Sequence, residues 1–221
     1  MNSQEIKDHI KDHLNWDTRI NSGKINVNVD ENGIVKLEGE IPSYSAKESA
    51  EKDAKLIEGV NSVVNQLEVK HFAATRPLQD SEIKSIILKF LRINQNINLN
   101  KLGISVNAGY VTLKGTLGAY WKKKEVEHIV SEVNGVIDIN NLITVEPPKE
   151  YNDKNIAKTI AKAIRRSRFV DADKIDISVS DGKVTLKGKV DNWKAYEEIA
   201  EATNLTNGVK KIENKLIVKQ Y

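Results

Sequence analysis

Gly182-Lys-Val-Thr-Leu-Lys-Gly188 decides the reading of this 221-residue chain, because the same pattern stands at 109–115 and again at 33–39. In each copy apolar residues take alternate positions, Val35 and Leu37, Val111 and Leu113, Val184 and Leu186, the period of a strand with one buried face. The opening glycines are 76 and 73 residues apart, and a second landmark, Gly59-Val60, Gly135-Val136 and Gly208-Val209, keeps the same intervals. Two landmarks in step mark an internal repeat. A period in the seventies is too long for a solenoid unit and suits a small domain with its own core.

Upstream of each copy the trios Ile6-Ile10-Leu14, Ile83-Ile87-Leu91 and Ile156-Ile160-Ile164 recur every four residues, which lays each trio on one stripe of a helix. Ser3, Asp80 or Ser81, and Asn152 or Asp153 are the expected N-caps. A first strand then alternates Ile25, Val27, Val29; Leu102, Ile104, Val106; Ile175, Ile177, Val179. The turns ending at Gly33, Gly109 and Gly182 join it to the repeated strand as a hairpin, with one extra residue in the first unit. A second helix follows, over 45–57 in the first unit, apolar at Val126, Val130 and Val133 in the second, and over 193–205 in the third. Gly59, Gly135 and Gly208 fit a helix C-terminal glycine. The last strand carries Leu67 and Val69, Ile143 and Val145, Leu216 and Val218, with Asn65, Asn141 and Asn214 two residues ahead of each pair.

The fold class read from this is α+β: three tandem α-β-β-α-β domains over 1–70, 80–146 and 152–221, each a small three-stranded sheet covered on one face by two helices. Connections fall at 71–77 and at 146–150, where Pro147-Pro148 predicts a short, semi-rigid spacer. Gly33, Gly109 and Gly182 are read as turn residues with positive φ, and Gly39, Gly115 and Gly188 as places where a strand bends or a helix comes close.

Cysteine is absent, which excludes disulfides, zinc ribbons and thiol chemistry. The start, Met1-Asn-Ser-Gln-Glu-Ile-Lys-Asp-His, has no basic segment followed by an apolar one. A cytoplasmic chain, peripheral to a membrane at most, is expected, or a periplasmic one if a leader was trimmed. The net charge of +3 conceals a gradient of −4 over 1–70, +2 over 71–147 and +5 over 148–221. An acidic head and basic tail suit head-to-tail contact, homo-oligomerisation through domains 1 and 3, or adhesion to an anionic surface.

The element order, the Gly-x-Val-x-Leu-x-Gly strand, the later Gly-Val and the closing Asn-x-Leu-x-Val, with Ile143 for Leu in the second unit, resemble the BON domain (bacterial OsmY and nodulation) in three tandem copies. The resemblance implies a non-catalytic module of osmotic or envelope stress, with affinity for phospholipid surfaces. Similar domains elsewhere look chaperone-like or potassium-responsive. The envelope members' signal peptide and lipoprotein cysteine are not seen here.

The candidate binding surface is the start of each second helix, where Tyr44, Tyr120 and Trp193 are equivalent. Trp121, Lys122, Lys123 and Lys124 follow in the second unit and Lys194 in the third. Rings beside ammonium groups suit the headgroup level of an anionic bilayer, and a ring stapled onto its own core with solvated lysines fits the same pattern. Arg165, Arg166 and Arg168, with Lys162, either offset a helix dipole or hold phosphate. His9 and His13 have the i,i+4 spacing of a zinc helix but lack its glutamate, and read as solvated. No nucleophile elbow, Walker loop or RNA-binding signature appears. The expectation is a chain without metal, cofactor, nucleic acid or catalysis that binds an anionic phospholipid surface weakly and multivalently, with a protein-binding or self-assembling scaffold as the alternative.

Overall fold

The computed structural model describes residues 1–70 and 77–219, so the connection expected at 71–77 lies, Pro77 apart, outside the described residues. The first unit runs α1 (Ser3–Trp16), β1 (Ile25–Val29), β2 (Ile34–Ile41), α2 (Tyr44–Lys55) and β3 (Ser62–Val69). The second runs α3 (Asp80–Ile93), β4 (Leu102–Asn107), β5 (Tyr110–Leu117), α4 (Tyr120–Ser131) and β6 (Asp138–Val145). The third runs α5 (Asp153–Ile164), β7 (Ile175–Ser180), β8 (Lys183–Val190), α6 (Trp193–Asn204) and β9 (Lys211–Val218). Each unit is one three-stranded sheet with the repeated strand in the middle. The hairpin partner is antiparallel and the last strand parallel.

The helical trios are buried in all three units, beneath the inward residues of the central strands. Apolar side chains removed from water at about 1.5–3 kcal/mol each drive this packing. Capping differs from the expectation. Asn2 caps α1 through a capping box with Glu5, and Gln79 forms the same box with Glu82, while Asn152 caps α5 as expected. Asp80 and Asp153 have another use. The Asp80 carboxylate accepts from the N–H groups of Ala108 and Gly109 at 2.8 and 2.9 Å, and Asp153 accepts from Asp181 and Gly182 at the same distances. A carboxylate at the helix start thus clamps a hairpin turn whose two central residues, Ala108 and Gly109, both have positive φ. That conformation matches the twist of the flanking strands. In the longer first turn, Asp30 supplies its own carboxylate to the N–H groups of Asn32 and Ile34.

The two glycine landmarks keep step because they touch. A Cβ on Gly109 would stand 2.7 Å from the carbonyl oxygen of Gly135, and one on Gly33 would stand 2.3 Å from that of Gly59. The carbonyl of Gly109 then accepts from the N–H of Ile137 at 2.9 Å and starts the parallel pairing. Gly59, Gly135 and Gly208 are not helix-terminal as expected. The second helices are capped at Leu56, Glu132 and Leu205, and the glycines lie three residues past those caps, against first-helix side chains such as Ile83. At Gly115, with φ 127°, the neighbour is backbone rather than a helix: the Lys101 carbonyl oxygen lies 2.0 Å from where a Cβ would stand.

The recurring asparagines tie the last strand to the second helix. The Asn141 amide donates to Glu127 at 2.8 Å and to the Lys123 carbonyl at 3.4 Å, and its oxygen accepts from the Ile143 N–H at 3.2 Å. Asn65 repeats the arrangement with Glu51 and Lys47. In the third unit the equivalent helix positions are Tyr196 and Ala200, and Asn214 accepts from the Leu216 N–H.

Four substitutions check this account. Gly115→Ala meets both the positive φ and the Lys101 carbonyl and is expected to lose about 2–3 kcal/mol in urea unfolding. Gly103→Ala, with its nearest contact 4.0 Å away, is expected to stay within about 0.5 kcal/mol. Asn141→Ala is expected to lose about 1–3 kcal/mol by stranding partly buried partners, and Asn214→Ala less.

Candidate functional site

The second helices begin where the central strands end, so Tyr44, Tyr120 and Trp193 come to the edges of their units. There each meets the next unit. Tyr44 packs against the cores of both the first and the second units, and Ile137 of the second returns onto the first. Tyr120 packs against the core of the third. Trp193 packs on its own core and donates its indole N–H to the Val60 carbonyl of the first at 3.0 Å. The Lys55 ammonium lies 5.2 Å from the Trp193 ring centroid, and Tyr196 meets that ring edge-on at 4.9 Å. Three units therefore close head to tail, each seam built on an aromatic ring. Burial, with the carboxylates of Glu48, Asp138, Glu127 and Glu51 adding to it, pushes the Tyr44 hydroxyl up to about 12. Burial also raises Tyr120 and Tyr196.

Neither reading of these rings in the sequence anticipated a seam, and Tyr120 and Trp193 are occupied there. The neighbouring lysines are also engaged. The Lys122 ammonium lies 5.4 Å from the Trp121 centroid. Lys123 donates to the Ile143 carbonyl at 2.7 Å, and burial lowers its pKa. Lys124 pairs with Glu127 at 3.2 Å and Lys194 with Glu198 at 3.7 Å.

The arginines are placed differently. Arg165, Arg166 and Arg168 are exposed at the end of α5, with Arg165 at 3.2 Å from Asp173 and the Arg168 guanidinium 4.9 Å from the Phe169 centroid. The equivalents of Arg166 are Trp16 at the end of α1, 88% exposed, and Ile93 at the end of α3, 76% exposed. Phe90 and Phe169 are exposed beside them. The signal was available in the sequence: Trp16 and Ile93 each lie two residues past the buried stripe, so a helix turns them away from the core.

A cleft of about 680 Å³ lies beside Pro147, Pro148 and Tyr151, with Gly182 and Gly208 on its wall. On its wall Lys210 pairs with Asp181 at 2.6 Å, and Asp153 accepts from the hairpin N–H groups. Among the described residues no buried side-chain nitrogen or oxygen lacks a partner, and no three His, Cys, Asp or Glu residues cluster as metal ligands. His9 and His13 are exposed. No described helix is long and apolar enough to cross a membrane.

Three small sheets, sealed to one another by rings and presenting exposed helix ends, are three copies of one α-β-β-α-β module. Residues 2–71, 79–147 and 152–220 match the BON domain, and the chain belongs to the BON domain family. It is similar to Osmotically-inducible protein Y of Escherichia coli (strain K12), 29% identical over 140 residues that span 62% of this chain and 67% of that protein. Two structures of CdsD, a structural protein of the Type III secretion system of Chlamydia trachomatis, one titled as its C-terminal domain, align over 99% and 97% of this chain and 98% and 92% of their own. Identities are 13% and 14% and each TM-score is 0.26, too low to bear on arrangement or role.

The seam has a pH signature. The folded chain keeps the Tyr44 proton after the unfolded chain has released it, so stability falls as pH rises from about 10 to about 12. Urea midpoints measured across that range should fall less steeply in Tyr44→Phe than in the unaltered chain.

Proposed function

We propose that this chain is a non-catalytic adaptor of osmotic or envelope stress that attaches weakly, at several points, to anionic phospholipid surfaces. The observation that supports it is the set of first-helix ends. Trp16, Ile93 and Arg166 stand at one repeated position, with Phe90, Arg165, Arg168 and Phe169 beside them, and all are large apolar or cationic side chains held out in solvent. Rings and aliphatic tips enter the headgroup boundary, and arginines meet lipid phosphate. Each basic residue near such a surface contributes about 1 kcal/mol, so one end binds marginally and three in one body gain avidity. In this reading Tyr120 and Trp193 serve the seams, and Lys123 bonds the Ile143 carbonyl within its own unit.

A protein-binding or chaperone-like scaffold is the second reading. Its support is the last strand of each sheet, an edge strand that exposes Val64, Leu142 and Ile217 respectively. Such an edge accepts an added strand from a partner.

Vesicle co-sedimentation separates the two. Vesicles containing anionic phospholipid should pellet the chain, neutral vesicles should not, and binding should fall with salt. Arg166→Glu with Arg168→Glu should lower the partition coefficient by roughly tenfold or more. Trp16→Ala with Ile93→Ala should weaken the part of binding that survives high salt. Equal recovery with and without anionic vesicles ends the lipid reading and leaves the scaffold.

A further inference from the structure

The three seams are equivalent in position and unequal in how they are held. The first two join units that follow one another in the chain, so a connecting segment keeps their partners at high effective concentration. The third, between the last unit and the first, has no such tether: Trp193 and Val60 are 133 residues apart. At that seam the sequence places tryptophan where the others have tyrosine. The indole N–H donates to the Val60 carbonyl, and the Lys55 ammonium approaches the ring face. The side chain offering the most contact area, with its N–H satisfied and a cation nearby, stands where no linker helps. A head-to-tail interface that returns to its first member makes a closed ring.

We propose that the Trp193 seam is an exchangeable clasp whose partner, once open, is a second copy of this chain. The third unit of each copy then completes the ring of the other. The units that meet carry net charges of −4 and +5, which draws a freed third unit toward any first unit, its own or a neighbour's. The segment from Glu146 to Asn152, with Pro147 and Pro148, belongs to neither β6 nor α5 and is the hinge. Exchange through it rebuilds both seams of the third unit, Tyr120 and Trp193, with the same atoms in contact. The exchanged dimer and the closed monomer therefore share their interfaces. The clasp sets the rate of interconversion, while hinge and concentration set the ratio. This inference stands apart from lipid attachment and is tested without lipid.

The full chain is concentrated, incubated in mildly destabilising urea, returned to buffer and followed by size exclusion with light scattering, then diluted. A species of twice the monomer mass should appear and relax slowly to monomer on dilution. Trp193→Ala should relax roughly tenfold faster with a similar final dimer fraction, and Trp193→Phe, which keeps a ring and loses the N–H bond, should lie between them. A chain that stays monomeric throughout overturns the proposal. So does a ladder of trimers and higher species, or Trp193→Phe and Trp193→Ala variants that both fold and relax at the unaltered rate.

Discussion

In each unit the backbone of the hairpin turn lies against the backbone of the loop before the last strand, with glycine on both sides. Gly109 and Gly135 show why nothing larger serves, since a methyl group on the first would meet the carbonyl of the second at 2.7 Å. That contact aligns the Gly109 carbonyl with the Ile137 N–H and makes the third strand parallel to the second. Parallel pairing requires a crossover, and the crossover is the second helix. The start of that helix then falls at the far end of the sheet, where its aromatic ring overhangs the unit's edge. The seams, the closure of the three units and the outward position of the first-helix ends follow from this order.

The periodicities made the fold legible. Stripes such as Ile83-Ile87-Leu91 and alternations such as Val111-Leu113 depend on burial, which acts along one element at a time and leaves a mark in sequence spacing. The recurring Asn65, Asn141 and Asn214 were visible as landmarks, but the bonds of Asn65 and Asn141 to helix residues 14 to 18 positions earlier leave no local pattern. Asp80 and Asp153 look like N-caps for the same reason, since a carboxylate at a helix start reads alike whether it serves its own helix or a turn 28 residues away. The site was less legible. A ring at the start of a second helix has one sequence signature whether it faces its own core, lipid or a neighbouring unit. Which unit stands beside it is decided by packing of whole domains.

The surface left over after the seams are made has a clear chemistry. Some carboxylates and amines are matched in pairs such as Lys183 with Glu213 at 2.6 Å, where the lysine bonds hold the Glu213 carboxyl down to about 2. The first-helix ends carry an indole at Trp16, an isoleucine at 93 and a cluster of guanidinium groups at 165, 166 and 168, of which Arg165 pairs with Asp173.

Tyr44 packs against the core of the second unit and feels the carboxylate of Asp138, encoded some ninety residues after it. During synthesis the first unit can complete its own sheet and still lack a roof for that ring until the second unit is nearly finished. The second waits in the same way for the third. The first unit's other end stays uncovered until Trp193 emerges. Translation order is thus also the order in which apolar edges are shielded, and a ribosome stalled midway through the second unit would leave a nascent chain with an open sticky end.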